Sequence, residues 1–194
     1  RTKELIPTGK FLSFFGGEHS ISIGIIRAFY EYYNALTVLQ IDAHADQRPT
    51  YEGTPYNHAC AVHEAGKNCN LLQVGIRSMD IEEKPYINME KTWYGHSILD
   101  QLDWIPNVIS KMTEKVYITL DLDAFDSSIM PATGTPEPGG MTWNQVISLL
   151  KRTFESKDVV GFDIVELAPI KGLKAPQFLA AKLYYKMLSY KFAS

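Results

Sequence analysis

The feature that most restricts the fold of this chain is a regular alternation of short apolar runs with longer helical patterns. Several runs are apolar on both sides and rich in β-branched residues, as in "LTVLQID", which is typical of strands buried in a parallel sheet. The strand-like runs cover residues 11–15, 36–42, 70–76, 115–123 and 158–164. The helical patterns cover residues 20–33, 58–66, the later part of 98–112, 142–155 and 176–188.

This β-α-β-α order predicts an α/β fold. Parallel strands need long crossover connections, and helices in those connections cover both faces of the sheet. We therefore expect a three-layer α/β/α domain with a mostly parallel central sheet. Thr142 is the expected N-cap of one helix, Pro176 stands in the first turn of the last helix, and Gly66 is expected to end a short one. Residues 77 to about 96 show no clear pattern.

Composition and charge exclude several classes of function. The chain has 194 residues, which fits one domain, and a formal net charge of −3 without a basic block, which argues against a nucleic-acid partner. No apolar run has the length of a membrane span. The two cysteines, Cys60 and Cys69, do not make a disulfide framework, so a cytoplasmic location with reduced thiols is expected.

Acidic and imidazole side chains follow four of the strand-like runs. In an open parallel sheet, ligands bind at the carboxyl ends of the strands, so side chains at these positions meet at one edge. The residues concerned are His19, Asp42, His44, Asp46, Asp121, Asp123 and Glu166. Surface solvation would scatter such residues instead of collecting them at one edge.

The spacing within "DAHAD" and "LDLD" has a geometric meaning. Residues two apart in an extended chain point the same way, so Asp42, His44 and Asp46 could face one centre, with Asp121 and Asp123 beside them. These ligands with His19 are too many for one tetrahedral zinc ion. They suit a pair of divalent ions, and the excess of carboxylate over thiolate favours a hard ion such as Mn²⁺.

Each of these residues also has an ordinary structural interpretation. A single aspartate at a strand end is usually a helix cap, and a single histidine in a turn is usually solvated. The combination of residues favours metal binding, whereas no single one does. His63 and His96 are interpreted as surface histidines and Cys60 as a small buried apolar residue.

Four motifs in this order, "GGEHS", "DAHAD", "LDLDAFD" and "PATGTPEPGG", resemble the metal-binding motifs of the ureohydrolases, the family of arginase and agmatinase. The resemblance runs from about Gly16 to the C-terminus and implies the arginase-like three-layer fold. The segments "YEGTPYNHACAV" and "VGIRSM" make the chain more similar to agmatinases than to arginases.

The resemblance implies two Mn²⁺ ions per chain and a ligand set for each. The ligands of one ion are matched by His19, Asp42, Asp46 and Asp121. Those of the other are matched by Asp42, His44, Asp121 and Asp123. Asp42 and Asp121 would therefore bridge the two ions.

The resemblance also implies catalytic and substrate-binding residues. His58, in "NHA", matches a proton-shuttling histidine, and Glu166 matches the carboxylate that holds the guanidinium group of the substrate. Thr135 lies in the segment near that site, and Asp126 matches a further family aspartate expected to support the ligands. Asp123 is expected to receive a proton from the hydroxide during the reaction.

The implied reaction is hydrolysis of a small guanidino substrate to urea and an amine by a hydroxide held between the two ions. The loop over residues 47–57 lacks the Asn and Ser pattern with which arginases hold the α-amino and α-carboxylate groups. Agmatine, giving putrescine for polyamine biosynthesis, is therefore the expected substrate. Guanidinobutyrate, arginine, a formimino compound or a non-catalytic metal-binding role remain alternatives.

The resemblance carries two further expectations, about domain organisation and oligomeric state. Family members have a substantial segment before the Gly-Gly motif, but only fifteen residues precede Gly16 here. We therefore expect residues 1–194 to form a single domain that lacks the usual N-terminal segment. Family members form trimers or hexamers, so a homo-oligomer is expected.

Overall fold

The central element of the computed structural model, which describes residues 1–98 and 102–193, is a six-stranded sheet with the order β1-β6-β5-β2-β3-β4. Every pair of neighbouring strands is parallel. The strands are β1 Leu12–Phe15, β2 Thr37–Ile41, β3 Asn70–Ile76, β4 Thr92–Tyr94, β5 Lys115–Asp121 and β6 Asp158–Val165. The predicted parallel sheet is confirmed.

Helices lie on both faces of this sheet. They are α1 Thr2–Leu5, α2 Ile21–Tyr32, α3 His63–Asn68, α4 Ile105–Ser110, α5 Trp143–Ser156 and α6 Ala175–Phe192. One apolar cluster joins α2 and α3 to the sheet through residues such as Phe29 and Ala65. The other joins α4, α5 and α6 to the opposite face, with Val108, Leu149 and Leu183 fully buried. The three-layer α/β/α architecture is thereby confirmed.

Local signals in the sequence explain several helix ends. Thr142 caps α5 as predicted, because its side chain accepts a hydrogen bond from the backbone of Gln145, whose own side chain accepts one from the Thr142 backbone in return. Pro176 lies in the first turn of α6. Within the described part of the chain, no helix combines the length and the apolar character that crossing a membrane requires.

Four expectations about local structure were wrong in part. The unclear region contains the short edge strand β4, and α3 runs past Gly66 to Asn68. A Cβ atom at position 66 would lie 3.0 Å from Gln47 Oε1, so close packing explains this glycine better than a helix end does. Residues 58–66 form a 3₁₀ turn, His58–Cys60, followed by α3. The run 115–123 is a strand only to Asp121, and a 3₁₀ turn, Leu122–Ala124, follows.

The histidines outside the strand ends differ from each other. His96 is exposed, as expected. His63 is buried, which corrects its interpretation as a surface residue, because its Nδ1 atom hydrogen-bonds to the Gln47 carbonyl over 2.8 Å. Cys60 is buried, as expected. The later part of residues 98–112 was predicted to be helical and forms α4. Residues 99–101 of this segment lie outside the described residues.

Candidate metal centre

The candidate site lies at the carboxyl ends of the four neighbouring strands β1, β6, β5 and β2. His19 follows β1, Asp121 ends β5, and Glu166 follows β6 directly. Glu166 adopts a left-handed backbone with φ of 66°, and its N–H donates to the Gly17 carbonyl over 2.8 Å. This bond joins the end of β6 to the turn after β1, so two distant parts of the sequence meet at the site.

One group of ligand atoms surrounds His19. Its Nδ1 atom lies 2.9 Å from Asp46 Oδ2, 3.3 Å from Asp42 Oδ2 and 3.4 Å from Asp121 Oδ2. The His19 side chain is fully buried, and Nδ1 has no hydrogen-bond partner despite these short distances. A buried nitrogen that faces three carboxylates without a hydrogen bond fits the environment of a divalent cation.

A second group of ligand atoms surrounds His44. Its Nδ1 atom lies 3.0 Å from Asp123 Oδ2 and 3.8 Å from Asp42 Oδ1. His44, Asp42 and Asp123 each offer an atom within 4.8 Å of the others, and so do His19, Asp42 and Asp46. Asp42 is common to both groups and directs a different oxygen toward each. The structure thus contains two groups that could each hold a metal ion.

The segments "DAHAD" and "LDLD" were expected to be extended, but each of them bends near its end. Asp46 has a left-handed backbone with φ of 51°, so "DAHAD" bends at its end. Asp123 lies in the turn after β5, where its N–H donates to Asp121 Oδ1 over 2.8 Å. The six expected ligands still come together, because the bends return Asp46 and Asp123 to the centre.

The electrostatics of this centre show an excess of negative charge. Burial, together with Asp46 and Asp123, raises the pKa of Asp42 to about 7. Burial, together with Asp123 and Asp42, also raises the pKa of Asp121 well above its usual value. Burial opposes protonation of His44, but Asp123 outweighs it and raises the pKa of His44 to about 9. An added cation would compensate these charges without protons.

The orientation of the His19 ring is set by its other nitrogen. Nε2 lies 2.9 Å from Thr119 Oγ1, and the Thr119 hydroxyl donates to Asp163 Oδ1 over 2.7 Å. Thr119 therefore accepts from the Nε2–H group, which leaves Nδ1 as the nitrogen whose lone pair a neutral His19 would offer to a metal ion. The donor set and this tautomer both fit divalent metal ions.

A cavity of about 540 Å³ opens above the two groups. Glu166, His58 and Thr135 all line it. The Glu166 Oε1 atom accepts the His19 backbone N–H over 2.6 Å, and burial raises the pKa of Glu166. His58 is half-exposed at the mouth, where its Nδ1 lies 3.0 Å from Glu18 Oε1.

Thr135 and Asp126, which the resemblance places at or near the site, have different contacts on the loop after β5. Thr135 Oγ1 lies 3.5 Å from Asp123 Oδ2, next to the ligand groups. Asp126 instead accepts a local hydrogen bond from Ser128 and one from the Gly140 backbone, and the second bond joins the two ends of the loop. The bond from Ser128, with that from Gly140, lowers the pKa of Asp126 to about 2. Asp126 thus shapes the loop that carries Thr135.

Sequence reasoning missed several polar residues beneath the site. Gln40 donates to Asp42 Oδ2 over 2.8 Å, and the Arg77 guanidinium donates to the backbone carbonyls of Asp123 and Glu137 over 2.7 and 2.8 Å. Thr119 supports His19 as described above. A polar residue inside an otherwise apolar strand, as in "VLQID" and "VYITLD", is the signal that could have identified Gln40 and Thr119.

Comparison with known proteins shows that the chain belongs to the arginase family, whose model matches residues 1–189. The N(1)-aminopropylagmatine ureohydrolase of Synechocystis is 38% identical over 190 residues, which are 95% of this chain and 62% of that protein. The agmatinase of Pyrococcus horikoshii is 33% identical over 178 residues, which are 90% of this chain and 61% of that protein.

A solved structure supports the same fold. The agmatine ureohydrolase of Thermoplasma volcanium superposes with a TM-score of 0.85 at 31% identity, covering 98% of this chain and 65% of that one. The family resemblance and the arginase-like fold predicted from the motifs are both confirmed. The chain spans about three-fifths of the length of the curated relatives named above.

Proposed function

We propose that this chain acts as a two-manganese ureohydrolase that releases urea from a small guanidino amine, with agmatine giving putrescine as the simplest case. The observation that carries this proposal is the pair of ligand groups that share Asp42, beside Glu166 in a single cavity. Paired ligand groups are the arrangement that two-metal hydrolases use.

The proposed ligands divide between the two ions. One ion would be held by His19, Asp42, Asp46 and Asp121, and the other by Asp42, His44, Asp121 and Asp123. When bound, two divalent ions lower the pKa of water to about 7 and so supply a hydroxide nucleophile near neutral pH. Carboxylate-rich ligands without thiolates favour Mn²⁺.

Glu166 is the proposed anchor of the guanidinium group. Its Oε1 is fixed by the His19 N–H, and Oε2 faces the segment around Gly134. A carboxylate held in this way can accept charge-assisted hydrogen bonds from a planar guanidinium and present the carbon to the nucleophile. Thr135, which contacts Asp123 in the same cavity wall, would limit how the guanidinium can tilt.

His58 and Asp123 are the proposed proton carriers. As the bond between the guanidinium carbon and the substituted nitrogen breaks, the leaving amine must gain a proton. His58 lies at the mouth of the cavity, where it can supply that proton and regain it from solvent. Asp123 would take the proton of the attacking hydroxide.

The charges at the mouth favour a cationic substrate tail. Arg48 Nη2 lies 3.1 Å from Asp80 Oδ2, so its charge is already paired, and Glu18, which contacts His58, adds a further carboxylate to the wall. A terminal ammonium complements this balance better than a carboxylate does. The relatives named for agmatine and for N(1)-aminopropylagmatine point to the same class of guanidino amines.

A urea assay with Mn²⁺ and a panel of guanidines tests the proposal. The panel contains agmatine, N(1)-aminopropylagmatine, guanidinobutyrate and arginine. We expect the two amines to be hydrolysed well ahead of the two acids. Urea release from guanidinobutyrate or arginine at higher kcat/KM would contradict the proposed substrate class, and no release from any compound would favour a non-catalytic role.

Two variants separate the proposed roles of the residues. His58→Asn should keep both ions and lose turnover by roughly 10²- to 10⁴-fold, because a proton carrier is removed. The exposed His96→Asn variant is the matched control. Asp121→Ala should lose bound Mn²⁺, and two ions per chain in that variant would remove Asp121 from the ligand set.

A further inference from the structure

Three buried glutamine side chains form a continuous chain of hydrogen bonds beneath the metal centre. Gln40 on β2 and Gln73 on β3 are register neighbours, and Gln47 follows the "DAHAD" segment. Gln47 Nε2 donates to Gln73 Oε1 over 2.6 Å, and Gln73 Nε2 donates to Gln40 Oε1 over 2.6 Å. Gln40 Nε2 then donates to Asp42 Oδ2 over 2.8 Å.

The direction of this chain follows from its end at Asp42. A carboxylate only accepts hydrogen bonds, so Gln40 must turn its NH₂ group toward Asp42 and its oxygen toward Gln73. Gln73 must therefore also donate, and its remaining N–H donates to the Ala45 carbonyl over 2.8 Å. The amide groups thus have one consistent orientation, from Gln47 to Asp42.

The three hydrogen-bonded glutamines act on the carboxylate that both ligand groups share. Asp42 Oδ2, which Gln40 contacts, lies on the His19 side, while Oδ1 accepts the His44 backbone N–H over 2.7 Å. The Gln40 amide therefore holds one oxygen and the backbone holds the other. A carboxylate fixed at both oxygens is oriented for bridging before any ion arrives.

Burying three amides is costly unless each finds hydrogen-bond partners, and apolar residues would fill the same space more simply. All three glutamines are almost fully buried. Loss of the middle amide would leave the Gln40 oxygen without its donor, so that Gln40 would be held only through its own N–H bonds to Asp42 and to the His44 carbonyl. Asp42 would then be positioned by a less restrained amide.

We propose that the Gln47–Gln73–Gln40 chain positions Asp42 as the bridge between two metal ions, and that Gln73 is a positioning residue acting through Gln40. The proposal rests on the proposed metal centre. Gln73 is the informative member because its hydrogen bonds go to Gln40, Gln47 and the Ala45 backbone, and to none of the proposed ligands.

Mn²⁺ titration of Gln73→Met tests this role, since methionine matches glutamine in length but has no amide. We expect Mn²⁺ affinity to fall roughly 10- to 100-fold, as for other outer partners of metal ligands. Electron paramagnetic resonance should show a magnetically coupled Mn²⁺ pair in the wild type and a weakened coupling in loaded Gln73→Met.

Leu72→Ala is the control for a purely structural effect. Leu72 precedes Gln73 on β3, packs in the cluster on the other face of the sheet and is fully buried. We expect it to lower the thermal stability but to keep Mn²⁺ affinity and magnetic coupling. If Gln73→Met does not fold, Gln47→Met breaks the chain one link further away and should show the same change in coupling.

Three results would overturn the proposal. Wild-type affinity and coupling in Gln73→Met would show that Asp42 needs no amide chain. Equal losses in Gln73→Met and Leu72→Ala would reduce the glutamines to a structural role. Absence of Mn²⁺ binding by the wild type would instead contradict the proposed metal centre on which the inference rests.

Discussion

The aspartates at the two ends of the parallel strands, the carboxyl edge and the amino edge of the sheet, have opposite electrostatic environments. At the carboxyl edge, Asp42 and Asp121 are buried beside other carboxylates, and burial raises the pKa of both. At the amino edge, Asp158 is partly exposed between Lys115 and Lys191. The hydrogen bond from Lys115, with that from Lys191, lowers the pKa of Asp158.

The difference lies in where the positive charge comes from. At the amino edge the protein supplies its own cations as lysines, so the charge of the Asp158 carboxylate is compensated within the protein. At the carboxyl edge four carboxylates meet two imidazoles and no lysine or arginine lies within ion-pair distance of them among the described residues. The proposed metal ions would supply the balance there.

The largest expected effect comes from removing the shared carboxylate. Asp42→Ala should weaken Mn²⁺ binding at both positions by more than the roughly 10- to 100-fold that loss of an outer partner costs. Asp158→Ala at the other edge is the matched control and should bind both ions normally. Calorimetric titration measures both variants, and retention of one tight ion in Asp42→Ala would show that Asp42 does not bridge.

A smaller effect distinguishes the two halves of the centre. Thr119→Val removes the hydroxyl that orients His19 and should weaken only the ion on the His19 side, by roughly 10- to 100-fold. Thr119→Ser keeps a hydroxyl and should retain most of the affinity. Equal weakening of both ions, measured as two steps in a titration, would contradict a role confined to His19.

The pKa values at the carboxyl edge predict a pH dependence. The pKa of Asp42 rises from 3.8 to about 7 and that of His44 from 6.5 to about 9. Groups whose pKa is raised by folding contribute stability that is fully present below the unfolded pKa and is lost as pH rises through the folded one. Without metal, the protein should therefore lose stability as pH increases from about 4 to about 9.

Mn²⁺ should reverse much of this loss because metal binding displaces the same protons. At 100 times Kd, one site stabilises by about 2.7 kcal/mol, which corresponds to an increase in Tm of about 5 to 10 °C. This increase should be larger near pH 8 than near pH 6. A shift in Tm that is independent of pH, measured by calorimetry, would show that the metal does not compete with these protons.

The smallest effect is expected at the amino edge. Lys115→Met removes one of the two partners of a partly exposed carboxylate, and such pairs contribute less than about 1 kcal/mol. The loss should shrink at high salt because exposed charges are screened. Urea unfolding at two salt concentrations measures it, and a large loss that salt does not change would remove the contrast between the edges.

The sequence was sufficient to predict the parallel sheet, and it predicts the candidate site at the carboxyl ends of the strands. The buried runs before Asp42, Asp121 and Glu166 are long and apolar and alternate with helical patterns, and this alternation predicts parallel strands. The placement of ligands follows in turn, because the carboxyl ends of parallel strands share one edge. The family motifs then grouped the residues into two ligand sets.

Other features depend on contacts between distant residues. Gln40 and Gln73 meet only because β2 and β3 pair in one particular register. The burial of His63 depends on the Gln47 carbonyl, and the left-handed backbone of Asp46 is not expected for an aspartate in an extended run. Strand β4 has three residues, too few to show an alternating pattern. Tertiary packing decides each of these.

The central claim is that two ions share Asp42 at the carboxyl edge. A crystal structure of the Mn²⁺-loaded protein, with anomalous differences collected at the manganese edge, tests it most directly. The account predicts two anomalous peaks, one next to His19 Nδ1 and one next to His44 Nδ1, each contacted by a different oxygen of Asp42. A single peak, or two peaks of which only one contacts Asp42, would contradict it.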